Sequence, residues 1–139
     1  MSRDRIRAQL VADEGVRLWP YTDTVGKSTI GVGRNLTDVG ISKAEAMLLL
    51  ENDIDNAEQS LIASWPWMRD LDPVRYAVLV NMVFNMGLGT LATFTNTLTY
   101  IKAGDYAKAA QNMLASKWAA QVGHRATRLA KQMESGAWT

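Results

Sequence analysis

The chain contains no cysteine. No disulfide supports its fold, and thiol nucleophiles and thiolate metal sites are excluded. That absence fits a reducing compartment. Histidine occurs once, at His124, with no second His or Cys beside it to complete a metal site. Neither sign of charge dominates. Fifteen basic residues against 14 acidic ones leave a formal net charge of +1. Such a balance gives no global pull toward nucleic acid or an anionic membrane. Apolar stretches are short. Ala46–Leu50 and Tyr76–Val80 fall far below the ~18 residues that span a bilayer. The opening Met1-Ser2-Arg3-Asp4-Arg5-Ile6-Arg7 has no apolar core of a signal peptide. The expectation is a protein made soluble in the cytoplasm, with no membrane insertion and no nucleic-acid partner.

What is present suffices for a real core. At 139 residues, a single domain buries roughly two thirds of its unfolded surface. Five Trp, four Tyr and seven Met, with many Leu and Val, supply the material. Basic residues gather near both ends: Arg3, Arg5, Arg7 and Arg17, then Lys117, Arg125, Arg128 and Lys131. They read equally as solvated helix faces or as a footprint for an anionic polymer.

No repeat, low-complexity segment or linker interrupts the chain. Residues 3–13 read as a short helix, with Ile6, Leu10 and Val11 on one face and Gly15 as its stop. Residues 17–34 are β-branched and aromatic around Val25-Gly26-Lys27, the pattern of a hairpin. Ile30 and Val32 alternate with Thr29, Gly31 and Gly33, which predicts one apolar face and one carrying a hydroxyl and bare backbone. Ser42-Lys43-Ala44-Glu45 has the form of a capping box, with Ile41 as its staple. Met47, Leu50, Ile54, Ala57 and Leu61 continue the helix at helical spacing. Its ~22 residues give a rod of about 33 Å. Asp72-Pro73 predicts an N-cap with proline in the first helical position, and that helix runs through Tyr76, Leu79, Val80 and Val83 to Gly87. Further helices are expected at 95–103, 105–115 and 124–134, bounded by Gly104, Asp105 and Gly136. The expected class is α+β and mostly helical, with one small sheet near the N-terminus.

Glu14 is the residue on which chemistry concentrates. It ends the first predicted helix, beside Asp13 and before Gly15. The helix macrodipole disfavours a carboxylate there, which favours the protonated form that a general acid needs. Read alone, Asp13 and Glu14 are a solvated pair, Asp23 is a turn former, and Thr29 is an ordinary strand residue. Together they place Tyr21, Asp23 and Thr29 on one face beside two glycines. Glycoside hydrolysis needs such a set: an acid for the leaving oxygen, a second carboxylate, and room for a sugar.

The run Asp13-Glu14-Gly15-x-Arg17-Leu18-x-x-Tyr21-x-Asp23-Thr24, with Thr29-Ile30-Gly31-x-Gly33, resembles the lysozymes of the T-even bacteriophages, a family of glycoside hydrolases. The resemblance continues in Asn81-Met82-Val83-Phe84-Asn85-Met86-Gly87, Phe94-Thr95-Asn96-Thr97-Leu98, Ser116-Lys117-Trp118, Arg125-Ala126-x-Arg128 and Gly136-Ala137-Trp138. It covers nearly the whole chain, in order.

The resemblance implies a single lysozyme-like catalytic domain over 1–139. Its smaller lobe, about 15–45, carries the hairpin. Its helical lobe comprises about 1–14 and 60–139, and a long helix joins the two. The implied reaction is cleavage of the β-1,4 bond between N-acetylmuramic acid and N-acetylglucosamine in peptidoglycan, with inversion and without a cofactor or metal. By position, Glu14 becomes the general acid, and Asp23 and Thr29 hold the attacking water. Arg125 pairs with the acid. Gly33, Phe84, Asn85 and Gln121 fall at positions facing substrate, and Trp118 reads as core. Asn85 stands where the family has Gln.

Two departures are visible. Arg34 replaces a family His that pairs with an Asp on the long helix, so an Arg34–Asp53 pair is expected. The segment between Gly33 and Ser42 is also short, which predicts a reduced smaller lobe. Physiologically, the resemblance implies a monomeric endolysin held in the host cytoplasm and reaching the wall in the periplasm through a holin-like pore. The competing reading is a non-catalytic wall-binding or bacteriocin-like module with the same fold. Gly31-Val32-Gly33 has no third glycine for a nucleotide site, and Asp53-Ile54-Asp55-Asn56 lies in a helical pattern without a calcium-loop glycine.

Overall fold

The computed structural model describes residues 2–139 and divides the chain into two compact units, one ending at Leu49 and the other Leu50–Thr139. The boundary falls inside α2 (Lys43–Ser64), the long helix expected after Ser42. The first unit holds α1 (Arg3–Glu14), β1 (Arg17–Thr22), β2 (Ser28–Gly31) and β3 (Arg34–Asn35). α1 thus falls within the first unit.

Local chemistry explains these elements. Ser2 caps α1 by accepting the Arg5 N–H, and Gly15 ends it by turning to φ 74° and donating to the Val11 carbonyl. The strands form an antiparallel sheet in the order β1-β2-β3. Tyr21 lies opposite Thr29 and Arg17 opposite Gly31, so β1 bulges between Arg17 and Tyr21. Pro20, which has no ladder donor, sits in that bulge on the sheet edge. Leu18 and Trp19 are left exposed there.

The expected alternation fails at the end of β2. Gly31 and Gly33 both have positive φ, so the chain turns into β3 and Val32 points outward. Thr29 is the buried residue of β2, at 4% exposure, and Ile30 is only half-buried. The hydroxyl side is thus the covered one, the reverse of the pattern read from the sequence.

At the start of α2 the capping box is reciprocal. Ser42 Oγ accepts the Glu45 N–H at 3.1 Å, and Glu45 Oε1 accepts the Ser42 N–H at 2.9 Å. Glu45 Oε1 also receives Arg34 Nη1 at 2.8 Å, while the Gly40 carbonyl takes a second bond from the same nitrogen. This corrects the Arg34–Asp53 pair. Glu45 is held toward Arg34 by its own capping bonds, whereas Asp53 lies two turns further along α2, roughly 12 Å away along the axis. Its hydrogen bonds, first that from Arg34, lower the Glu45 pKa to about 2. A carboxylate depressed in the folded state stabilises above its ordinary pKa, near ~4.3, and that contribution fades as pH falls through 2. A side-chain carboxyl titration followed by NMR should therefore give Glu45 a midpoint near 2, moving back toward ~4.3 in Arg34→Ala.

The second unit completes α2 and adds a 3₁₀ turn (Pro66–Asp70) and α3 (Pro73–Met86) to α8 (His124–Ser135). Between them lie α4 (Leu88–Ala92), α5 (Thr95–Lys102), α6 (Tyr106–Leu114) and α7 (Lys117–Val122). The expected N-cap is present, with Asp72 Oδ2 accepting the Arg75 N–H. The 3₁₀ turn, α4 and α7 were not read from the sequence, each being too short to establish a period. The core gathers here: Leu61, Met68, Leu79, Met82, Leu91, Ile101, Met113, Leu129 and Met133 are all but inaccessible. Arg75 ties the start of α3 to the end of α8, donating from Nε to the Met133 carbonyl at 2.6 Å and from Nη2 to the Glu134 carbonyl. Its guanidinium also stacks 3.6 Å from the Tyr106 ring centre. No described helix is long and apolar enough to cross a membrane.

Candidate active site

The first unit brings Glu14 onto the sheet. Glu14 is the last residue of α1, and its carboxyl is exposed. A Cβ placed on Gly33 would lie 2.9 Å from Glu14 Oε2 and 3.1 Å from Cδ. Gly33 also has φ +69°, a conformation that L side chains rarely adopt. Both demands are met by glycine. The bare Cα at the turn into β3 is what lets the acid lie against the backbone.

Asp23 and Thr29 are both held by the main chain of one residue, Lys27. Asp23 Oδ1 accepts the Lys27 N–H at 2.8 Å and the Val25 N–H at 3.0 Å. The Lys27 carbonyl in turn accepts the Asp23 N–H at 2.8 Å and the Thr29 hydroxyl at 3.1 Å. Asp23 is therefore a turn former, as its residue type alone suggests. Oδ1 is spent on the turn, and among the described residues Oδ2 accepts no bond. Thr29 Oγ donates to Lys27, so its lone pairs can accept. This leaves two fixed acceptors, a carboxylate oxygen and a hydroxyl, both tied to the Lys27 main chain. Such a pair can hold a water molecule by its two hydrogens. Lys27 was not anticipated, because its part is played by the main chain and leaves no side-chain signature.

In the second unit, Asn81, Phe84 and Arg125 line a cavity of about 410 Å³, together with Leu50, Ile54 and Tyr76. Phe84 is exposed, the opposite of the core position its residue type suggests alone. Arg125 donates from Nε and Nη2 to Asn81 Oδ1, at 2.9 and 2.7 Å. Burial pushes the Tyr76 phenol up to about 12, with help from Glu58.

A larger cavity of about 770 Å³ contains Asn85 and Gln121. The Trp118 ring is buried as core, yet its indole N–H donates to Asn85 Oδ1 at 2.7 Å. Asn85 is thereby oriented, with its amide nitrogen left to meet a ligand. Phe94 packs edge-on against Trp118, and Thr97 donates to Asn112 Oδ1 at the same cavity. Aromatic edges with oriented amides suit a ligand having both apolar faces and many hydrogen-bonding groups. No cluster of three metal-ligating side chains occurs among the described residues.

Comparisons with known proteins agree with this architecture. The phage lysozyme family model matches residues 11–134. A probable T4-type lysozyme of Dictyostelium discoideum is 30% identical over 161 aligned positions, covering 94% of this chain and 94% of that protein. A second probable T4-type lysozyme from the same organism has the same identity and coverage. The pre-baseplate central spike protein Gp5 of Enterobacteria phage T4 is 30% identical over 145 positions, spanning 84% of this chain and 25% of that protein. These matches define a lysozyme-type glycoside hydrolase, with peptidoglycan as its substrate. The chain belongs to the phage lysozyme family.

Proposed function

We propose that the chain is a muramidase that cleaves the β-1,4 bond between N-acetylmuramic acid and N-acetylglucosamine with inversion. Glu14 protonates the leaving glycosidic oxygen. Asp23 Oδ2 and the Thr29 hydroxyl hold a water on the opposite face of the sugar, and Asp23 takes its proton as the new bond forms. Inversion requires carboxyls about 6.5–9.5 Å apart, leaving room for that water. Gly33, Phe84, Asn85 and Gln121 contact the glycan and its peptide stem. The observation that carries the reading is the seat of Glu14 on Gly33, on the same small sheet that fixes Asp23 and Thr29 through Lys27.

In its biological setting the protein acts as a monomeric endolysin. It is held in the host cytoplasm until a holin-like pore admits it to the wall, and it frees phage by lysis. Digestion of purified peptidoglycan tests the chemistry. Reducing muramic acid ends in the α configuration are expected. Retained β-anomers would remove the water-holding role of Asp23, and anhydro ends would replace hydrolysis with lytic transglycosylation.

A further inference from the structure

The Lys27–Ser28 peptide group is held from both of its sides. Its carbonyl accepts the Thr29 hydroxyl at 3.1 Å and the Asp23 N–H at 2.8 Å. Its N–H, on Ser28, donates to Thr37 Oγ1 at 2.9 Å. A trans peptide is planar, with C=O and N–H pointing in opposite directions. Fixing the N–H therefore fixes the line along which the carbonyl receives the Thr29 proton. That line sets where the Thr29 lone pairs point. Thr37 is itself placed by its neighbours. Asn35 Nδ2 donates to Asp38 Oδ2 at 3.0 Å, and Asn35 Oδ1 accepts the Asp38 N–H at 2.9 Å, closing the turn in which Thr37 lies. Lys27 Nζ reaches Asp38 Oδ1 at 3.2 Å, and the Leu36 N–H donates to the Ser28 carbonyl at 2.7 Å. The far end of the turn is fastened by Arg34 Nη1, which donates to the Gly40 carbonyl. With β3 only two residues long, this turn braces the start of β2 where a longer third strand would do so through its ladder.

We propose that Thr37 is a positioning residue that orients the Thr29 hydroxyl toward the attacking water by fixing the plane of the Lys27–Ser28 peptide. The proposal rests on the reading that Asp23 and Thr29 hold that water. Thr37 acts through the peptide and touches no reacting atom. Its bond to Ser28 lies at the surface, so a solvent molecule can satisfy the Ser28 N–H once the hydroxyl is removed. Solvent meets the hydrogen-bonding demand without holding the peptide in one plane. Loss of the Thr37 hydroxyl should therefore disturb orientation more than stability, which distinguishes positioning from a purely structural role.

The test is kcat and KM for peptidoglycan solubilisation by the wild type, Thr37→Val, Thr37→Ser, Thr29→Ala and the double variant Thr29→Ala with Thr37→Val, with a thermal melt of each. Thr37→Val keeps the shape and removes the acceptor, whereas Thr37→Ser keeps the acceptor. Displacing a reacting group by about 1 Å can cost 10²-fold in rate, so a tilted hydroxyl should lower kcat by about 10-fold or more in Thr37→Val. KM should be unchanged, because the water is not part of the bound glycan. Thr37→Ser should recover most of the wild-type kcat. In Thr29→Ala the hydroxyl to be oriented is gone, so adding Thr37→Val should lower kcat much less than it does alone. Should Thr37→Val not fold, Thr37→Ala, which also has no acceptor, carries the same comparison. Should Thr29→Ala be inactive, the fall of kcat at constant KM in Thr37→Val and its recovery in Thr37→Ser decide. Wild-type kcat in Thr37→Val, or the same fold-loss from Thr37→Val in both backgrounds, overturns the proposal and leaves Thr37 a turn-forming residue. Wild-type kcat in Thr29→Ala overturns instead the water-holding reading on which the proposal stands.

Discussion

Glu14→Gln is expected to abolish lysis while leaving the protein folded and slightly more stable. The two effects have opposite signs because they come from different physics. The amide has nearly the size and shape of the acid, so the seat on Gly33 is preserved. It cannot deliver a proton to a departing oxygen, however, and loss of general acid catalysis costs about 10²–10⁴-fold in rate. As the last residue of α1, an ionised Glu14 faces the negative end of the helix dipole. Neutralising it removes a repulsion worth ~0.3–1 kcal/mol for an exposed group. Turbidity loss of purified peptidoglycan and a thermal melt on the same sample check both parts. Wild-type clearance by Glu14→Gln would end the assignment of the acid.

Gly33→Ala should be nearly as damaging, with no chemical group removed. Left-handed backbone costs an alanine about 1–2 kcal/mol. The new methyl would also meet Glu14 Oε2 at 2.9 Å, and Glu14 can yield only by swinging away. Displacing a reacting group by about 1 Å can cost 10²-fold in rate. Gly104→Ala separates strain from displacement. Gly104 has φ +78°, and a Cβ there meets nothing within 4 Å. Both variants should lose similar stability, and Gly33→Ala alone should lose about 10²-fold in kcat. Equal activities would show that the contact with Gly33 does not place the acid.

The legibility of these features in the sequence follows their range. Ser42 with Glu45, and Asp72 with Pro73, announce helix starts because cap and capped backbone lie within one turn. The stop of α1 at Gly15 is legible for the same reason. The partner of Arg34 was not. Family likeness pointed to Asp53, whereas the capping bonds of Glu45 had already turned a carboxylate toward the guanidinium. Thr29 was placed in its strand, but its burial depends on the glycine turn that follows and on the Lys27 carbonyl. The bond between Asn81 and Arg125 joins two helices distant in sequence, and no periodicity forecasts it. The residue types of the candidate site were thus readable, while the main-chain and amide groups that hold them were not.

The methionines are unequally exposed to oxidants. Met68, Met82, Met113 and Met133 are sealed in the core, whereas Met47 stands open to solvent, and there is no thiol to intercept peroxide first. Met47 should convert to its sulfoxide promptly. The four interior sulfurs should react only in chains that have opened, each becoming a polar group that the core cannot take back. Peroxide would then act as a ratchet on unfolding, and the lag between Met47 and the interior four, followed by peptide mass, would time how often the helical unit comes apart.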